Sequence, residues 1–330
     1  MPQRQAQLQH WLREPCGFAE FTIEPASGDA SFRRYFRVGL PDGRSLIAMD
    51  APPEREDCGP FVEVTGRLAA AGVHVPQILA QDLRQGFLLL EDLGDRLYLS
   101  MLNEQTVAQL YADAMAAMLR YQQHGQVEGL PPYDRGLLLR EMGLFPDWLL
   151  ERHLGLELSQ AEQALLADSF DRLVESALAQ PRVLVHRDYH SRNLLVCRPD
   201  NPGIIDYQDA VHGPISYDLV SLLRDCYIRW PPGQVDAWVQ DYAQRAQQAG
   251  LLSGAQRASF TEWFDLMGVQ RHLKAAGIFA RLKHRDGKPG YLGDIPRTLG
   301  YIVEVAERRP AVAALGAFIR TRVLPGLASA

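Results

Sequence analysis

The spacing of apolar positions changes once along the chain, near residue 94. Before that point apolar and polar residues largely alternate, which predicts strands; beyond it they recur at three- and four-residue steps, which predicts helices. In the first part, residues 7–14 predict a short helix closed by Pro15. The stretches FTIEPASGDASFRRYFRV (21–38) and RSLIAMDAP (44–52) read as strands, with turns at Gly28-Asp29 and Pro41-Asp42-Gly43. Phe61, Val64, Leu68 and Ala71 share one face of a helix over 57–71. VPQILAQDL (75–83) and GFLLLEDL (86–93) predict a hairpin that ends at Gly94. In the second part, TVAQLYADAMAAMLRYQQH (106–124) is an amphipathic helix and 159–179 another. Short apolar strands then flank a polar cluster, a third helix lies around 217–226, and 233–330 is mostly helical with breaks at Gly250, 286–290 and Pro310. The expectation is an α+β fold of two lobes, a small mixed β-sheet lobe over 1–94 and a larger helical lobe over 95–330.

Composition narrows the class without naming it. A chain of 330 residues with 47% hydrophobic content can bury two cores. The formal net charge of -6 gives no sign of a nucleic-acid partner, but it is uneven. From Arg257 onward 12 Lys or Arg face 6 Asp or Glu, whereas the first 256 residues hold 22 basic and 34 acidic groups. Cys16, Cys58, Cys197 and Cys226 are scattered with no C-x-x-C pair, which fits reduced thiols better than disulfides or zinc. No signal peptide and no run near the ~18 apolar residues of a membrane span is present, so a cytoplasmic protein is expected.

The polar cluster is LVHRDYHSRNLLV, residues 184–196. It sets two histidines, two arginines, Asp188 and Asn193 between apolar runs, where each polar group needs a partner if buried. Folding alone gives no reason for such crowding, but phosphoryl transfer does. That chemistry needs a carboxylate to orient and deprotonate an attacking hydroxyl, and oxygen ligands for magnesium on the nucleotide phosphates. Asp188 and, five residues on, Asn193 can supply one of each, and Asp206 in GIIDYQDA is placed to be a second metal ligand. Asp218 in ISYDLV reads as a structural helix N-cap.

The run from His186 to Asn193 resembles the H-x-D-x-H-x-x-N loop of the aminoglycoside phosphotransferase and choline kinase superfamily, relatives of the protein kinases. IIDYQDAVHGPISYDLVSLL resembles the metal-binding segment of that superfamily, and a small mixed lobe before a helical one is the order of a protein-kinase-like fold. The resemblance implies ATP and Mg2+ as cofactors, Asp188 as catalytic base, His186 as a brace of its loop, and Asn193 and Asp206 as magnesium ligands. It also implies that GDASFRRYFRV (28–38) covers the ATP phosphates, with Ser31, Arg33 and Arg34 in contact and backbone N–H groups holding oxygens. FLLLEDLG resembles the hinge that pairs with adenine, through the backbone at Glu91 and Leu93. One departure stands out. Kinase-type folds carry a third-strand lysine paired with a helix glutamate, and here Met49 stands in the lysine's place, with Glu63 in the glutamate's. The chain's only lysines are Lys274, Lys283 and Lys288, so Arg33 or Arg34 is the expected substitute.

The segments 49–64 and 267–299 resemble bacterial anomeric kinases of N-acetylmuramate and N-acetylglucosamine, which act in cell-wall recycling. That implies transfer of the ATP γ-phosphate to the C1 hydroxyl of a small amino sugar. Arg271 and Lys274, close together in the basic C-terminal quarter, suit an anionic acceptor. His190, Asp209 and His212 are further candidates for acceptor contacts. An aminoglycoside O-phosphotransferase is the alternative, for which a carboxylate-rich site is expected. A catalytically dead nucleotide-binding scaffold is another, although it has no need of Asp188, Asn193 and Asp206 together. A protein kinase is disfavoured, because only eleven residues separate Asp206 from Asp218. No obligate protein partner is evident.

Overall fold

A computed structural model of the chain describes residues 2–28 and 32–327. Its contacts divide the chain into two compact units, Met1–Met101 with Asn193–Asp209, and Leu102–Arg192 with Ala210–Ala330. The first unit thus runs past the expected boundary at Gly94 and takes in a short later segment.

The first unit begins with α1 (Pro2–Arg13), followed by β1 (Thr22–Gly28), β2 (Arg34–Gly39), β3 (Ser45–Asp50), α2 (Gly59–Ala70), β4 (Ile78–Asp82), β5 (Phe87–Glu91) and α3 (Tyr98–Met101). The five strands form one antiparallel sheet in the order β1-β2-β3-β5-β4. Alternation decides which face is covered. Phe36, Val38, Ala48, Phe87 and Leu89 point to one side, where α1 lays down Leu8, Trp11 and Leu12. Each such side chain contributes roughly 1.5–3 kcal/mol by leaving water. On α2 the buried residues are Phe61, Val64, Thr65 and Leu68, the stripe that the spacing predicts.

The second unit opens with α4 (Val107–His124) and α5 (Arg135–Leu144). The latter runs into a wider π-helical stretch, Phe145–His153, and then come α6 (Gln160–Leu178) and β6 (Arg182–Val185). The helix α6 starts at a capping box, in which the Ser159 hydroxyl accepts from the Glu162 N–H and Glu162 reaches back to the Ser159 N–H. Helix α5 and its π extension are absent from the sequence-based expectation. Their segment, RGLLLREMGLFPDWLL, has apolar residues all round and Pro146 within it, so no single stripe appears.

At Asn193 the chain returns to the first unit as β7 (Leu194–Leu195) and β8 (Gly203–Ile204). Bonds that hold this excursion include Val196 N–H to Arg96 O (2.8 Å), Ile204 N–H to His74 O (2.8 Å), and the Tyr207 and Thr65 hydroxyls at 2.9 Å. The second unit then resumes with β9 (Val211–Pro214), antiparallel to β6, and α7 (Tyr217–Leu223). It is completed by α8 (Pro232–Gln248), α9 (Gly254–Asp286), a 3-10 turn Pro289–Asp294, α10 (Ile295–Arg308), α11 (Ala313–Phe318) and α12 (Leu324–Leu327).

At 33 residues α9 is the longest element. A Ser253–Gln256 capping box starts it and Gly287 ends it in the left-handed conformation at φ 66°. It passes so close to α5 that a Cβ on Gly277 would lie 2.3 Å from the Leu144 carbonyl carbon. Its buried face includes Arg271 and Lys274, two cations inside a helical core. Among the described residues no helix is long and apolar enough to cross a membrane.

Candidate active site

In the second unit the loop after β6 is held from beneath by a carboxylate. Asp218, wholly buried, accepts the backbone N–H groups of His186 (2.7 Å) and Arg187 (2.9 Å) and the Tyr121 hydroxyl (2.8 Å). It is therefore not the N-cap expected from the sequence. Ser216 occupies that position, and Asp218 lies in the first turn of α7. Burial pushes its carboxyl up to about 6 while the three donors pull it down. The anchor supports a strained turn, because Arg187 adopts φ 77°, a region that side chains with a Cβ rarely enter. His186 is buried edge-on to Tyr189, and its Nδ1 accepts the Asp188 N–H at 3.3 Å. Farther along, the Ser191 N–H and hydroxyl donate to Asp225 at 2.9 and 2.5 Å.

Three cations and a histidine act electrostatically on the Asp188 carboxylate. Desolvation would raise its pKa, but Lys274, His190, Arg187 and Arg271 outweigh that and bring it down to about 2. Two of these cations share Glu141, a buried carboxylate on α5. Arg187 pairs with it, and Lys274 Nζ lies 3.1 Å from its Oε1 while donating to the Tyr217 hydroxyl at 3.0 Å. The Tyr133 hydroxyl also donates to Glu141. Arg271 differs. It is 5% exposed, and among the described residues no carboxylate lies within ion-pair distance of it. Its Nη1 faces Cys226 Sγ at 3.7 Å and its Nε has no partner. A buried guanidinium without a carboxylate is costly, and it marks a place for an anion. His190 packs edge-on to Tyr227 at 5.4 Å, and burial lowers its pKa, so it is neutral at pH 7.

In the first unit, Asn193 and Asp206 are brought side by side. The Asn193 amide donates to Asp206 Oδ2 at 3.2 Å, and Gln208 Nε2 donates to Oδ1 at 3.0 Å. The Asn193 carbonyl accepts the Ile205 N–H at 3.1 Å, which ties β7 to the end of β8. Asp206 itself has φ 65°, a second strained non-glycine position. Asn193, Asp206 and Gln208 offer carboxylate and amide oxygens, and this set fits magnesium. Among the described residues no three His, Cys, Asp or Glu side chains form a ready metal cage. Magnesium that keeps waters and takes phosphate oxygens does not need one. Asp209 is exposed and accepts from Gln208 at 3.4 Å.

The candidates for nucleotide binding are placed unevenly. Ser31 lies outside the described residues. Arg33 is half-buried, and Arg34 is engaged: its Nε and Nη2 both donate to Asp50 Oδ2, while Arg4 of α1 takes Oδ1. Met49 is fully buried in β3, and the carboxylate beside it, Asp50, escaped the sequence-based reading. Glu63 pairs with Arg67 one turn along α2 at 2.5 Å and is 56% exposed, so its bond stays within its own helix. The Glu91 N–H donates to Gln77 O at 2.9 Å. Leu93 O accepts the Cys197 thiol at 3.6 Å, and its N–H has no partner among the described residues. His212 lies on β9 opposite Leu184, with Arg182 the charge that acts on it.

Asp188, His186, His190, Arg271 and Lys274 thus share one neighbourhood in the second unit, and Asn193, Asp206 and Asp209 share one in the first. Glu141, Asp225 and Asp50 are the additions. A lone glutamate in the apolar run LLLREMGLF was the one sequence signal that could have found the first of them.

The likeness to known proteins is extensive. Residues 22–255 match the phosphotransferase enzyme family. An N-acetylmuramate/N-acetylglucosamine kinase of Pseudomonas putida is 51% identical over 94% of this chain and 89% of its own. Another protein of that name, from Pseudomonas aeruginosa, is 53% identical over 88% of this chain and 86% of its own. Among solved structures, an ethanolamine kinase of Plasmodium vivax has a TM-score of 0.66 at 10% identity, covering 90% of this chain and 86% of that one. The ADP-bound aminoglycoside phosphotransferase APH(2'')-Ib has a TM-score of 0.59 at 14% identity, covering 90% and 97%. The structural likenesses show the two-lobed, protein-kinase-like α+β fold expected from the sequence. The family match and the relatives at about half identity go further: the chain belongs to the phosphotransferase enzyme family and is an ATP-dependent kinase.

Proposed function

We propose that this kinase transfers the ATP γ-phosphate to the C1 hydroxyl of N-acetylmuramate and N-acetylglucosamine, recycling peptidoglycan sugars. The two relatives at about half identity carry the names of these sugars. The observation that carries the acceptor class is Arg271, a buried guanidinium whose charge acts on Asp188 and which no carboxylate pairs among the described residues. A polycationic aminoglycoside would be repelled there, whereas an acidic or neutral amino sugar is not.

Asp188 orients the acceptor hydroxyl and takes its proton. With a pKa near 2 it is ionised at every working pH, so its contribution is more positioning than basicity. His186 fixes the Asp188 peptide through its Nδ1. Asn193 and Asp206 are the residues to hold Mg2+, which supplies charge neutralisation on the phosphate oxygens. Arg271 keeps donors for an anionic group of the reacting pair, and Lys274 balances Glu141 at the base of the site. Neutral His190 can donate or accept towards sugar hydroxyls, and Asp209 and His212 are assigned outer hydroxyl contacts. On the nucleotide side, the Leu93 N–H and the Glu91 backbone take the adenine edge. Ser31, Arg33 and Arg34 are assigned to the phosphates, Arg34 with Asp50 behind it.

The test is ADP release with magnesium and ATP against N-acetylmuramate, N-acetylglucosamine and kanamycin, with Asp188→Asn as control. Turnover of both sugars is expected, lost by a factor of about 10²–10⁴ in the variant, with the reducing end of the product blocked. Turnover of kanamycin alone, or a product that still reduces, refutes the assignment.

A further inference from the structure

One arginine of the polar loop has no part in the roles above. Arg192 lies with its guanidinium carbon 3.9 Å from the centre of the Tyr227 ring and 5.6 Å from that of Tyr291. Both rings are themselves backed. Tyr291 stacks on Phe279 at 5.7 Å and 17°, and Phe279 meets Tyr227 at 6.2 Å. The guanidinium thus rests against two tyrosine rings, a contact that leaves its N–H donors to be used. Among the described residues no carboxylate lies within ion-pair distance of it. The arrangement is anchored as a unit by Asp225. Its Oδ2 accepts from Ser191, next to Arg192, and its Oδ1 accepts the Tyr227 N–H at 2.9 Å. His190 packs against the same Tyr227 ring and feels the charges of both Arg192 and Asp188, so the fork stands within electrostatic reach of the candidate base.

A charged fork held against two rings, with no carboxylate partner among the described residues and acting on the same histidine as the candidate base, suits a carboxylate on the acceptor. Of the two sugars proposed above, N-acetylmuramate carries one, on its lactyl ether, and N-acetylglucosamine does not. We propose that Arg192, held against Tyr227 and Tyr291, recognises the lactyl carboxylate and sets the preference between the two sugars. The inference rests on the amino-sugar reading. Arg271 is less suited to this task, because it is almost wholly buried beside the carboxylate that receives the reacting hydroxyl.

The experiment compares kcat/KM for N-acetylmuramate, its methyl ester and N-acetylglucosamine in wild type, Arg192→Gln, Arg192→Lys and Tyr291→Leu. The ester keeps the bulk of the lactyl group and removes its charge. The wild-type preference for acid over ester is expected to fall by about 10- to 100-fold in Arg192→Gln, the range of a charge-assisted fork contact. It should fall by less in Arg192→Lys, which keeps the charge without the fork, and in Tyr291→Leu, which removes one of the two rings. An acid-to-ester ratio unchanged by Arg192→Gln overturns the inference while leaving the sugar kinase standing. So does a rise in the KM for ATP with that ratio unchanged, which would move Arg192 to the phosphates. A wild type that turns over neither sugar overturns the reading beneath and this inference with it.

Discussion

Asp218 illustrates how much can hang on one buried carboxylate. Removing it strands the His186 and Arg187 N–H groups and the Tyr121 hydroxyl, each left without its partner. An orphaned buried donor costs about 1–3 kcal/mol, so Asp218→Ala should lose roughly 3 kcal/mol or more of stability. It should also lower kcat far more than the KM for ATP, because the turn through Arg187 loses its anchor. Thermal melts and steady-state kinetics on one preparation check both. A variant that melts like wild type would show that the loop holds itself. Residues such as this one also mark the limit of what could be read from the sequence. Asp188, Asn193 and Asp206 were legible as candidates because their chemistry is crowded into a short stretch. Glu141, Asp50 and Asp225 were not, because what makes each of them matter is a partner dozens of residues away, or a loop folded back on it.

Among the elements, α9 is the one whose packing can be tested most sharply. A Cβ at Gly277 would meet the Leu144 backbone at 2.3 and 2.4 Å, and backbone cannot step aside as a side chain can. Alanine normally favours a helix over glycine by about 1 kcal/mol. At this site it should instead destabilise by about 1–3 kcal/mol, the usual cost of overpacking. Gly66, on the exposed side of α2 with nothing near its would-be Cβ, is the matched control. Gly66→Ala should raise stability by up to about 1 kcal/mol. Denaturant melts of the two variants should shift in opposite directions; shifts of the same sign would refute the close-approach account. The same contrast explains which helices could be foreseen. In α4 and α6 one face is apolar and the other polar, so the pattern is visible in one dimension. Helix α5 and its π extension bury Leu138, Glu141, Met142, Phe145, Leu149 and Leu150 against α6 and α9 among others, but apolar residues also stand at half-buried positions such as Leu137, Leu139, Leu144 and Trp148, so the sequence shows no clean period.

For the molecule as a whole, histidines dominate the response to acid. Burial lowers the pKa of His153, His190, His212 and His272, the last to about 3. Below about pH 6.5 the unfolded chain then binds more protons than the folded one, so stability is full above that pH and lost as pH falls. For fully buried His272 the loss is about 1.4 kcal/mol per pH unit. Asp218, with its carboxyl raised to about 6, acts in the opposite sense between about pH 6 and 4, as one group against four. Melting temperature should therefore drop between pH 7 and 5; a flat or rising profile would contradict the burial of these rings. Reductant should leave it unmoved, since all four thiols are free, and Cys16, the least buried, is pushed up to about 11.

The path of the chain between the two units sets a timetable for synthesis. Most of the first unit precedes the second along the chain, yet β7, β8 and the Asn193–Asp206 pair belong to it and emerge only with the segment ending at Asp209. A ribosome adding 5–20 residues per second leaves the first unit waiting roughly 5–20 seconds for its last segment. During that interval most of the first half of the second unit must appear without completing either body. A gene fragment stopped after residue 101 should yield a sheet that lacks the bonds to His74 and Arg96 and is readily digested. Residues 1–101 joined by a short linker to 193–209 should resist protease better. The order of translation, and not only the final contacts, thus decides when this kinase first acquires its candidate metal ligands.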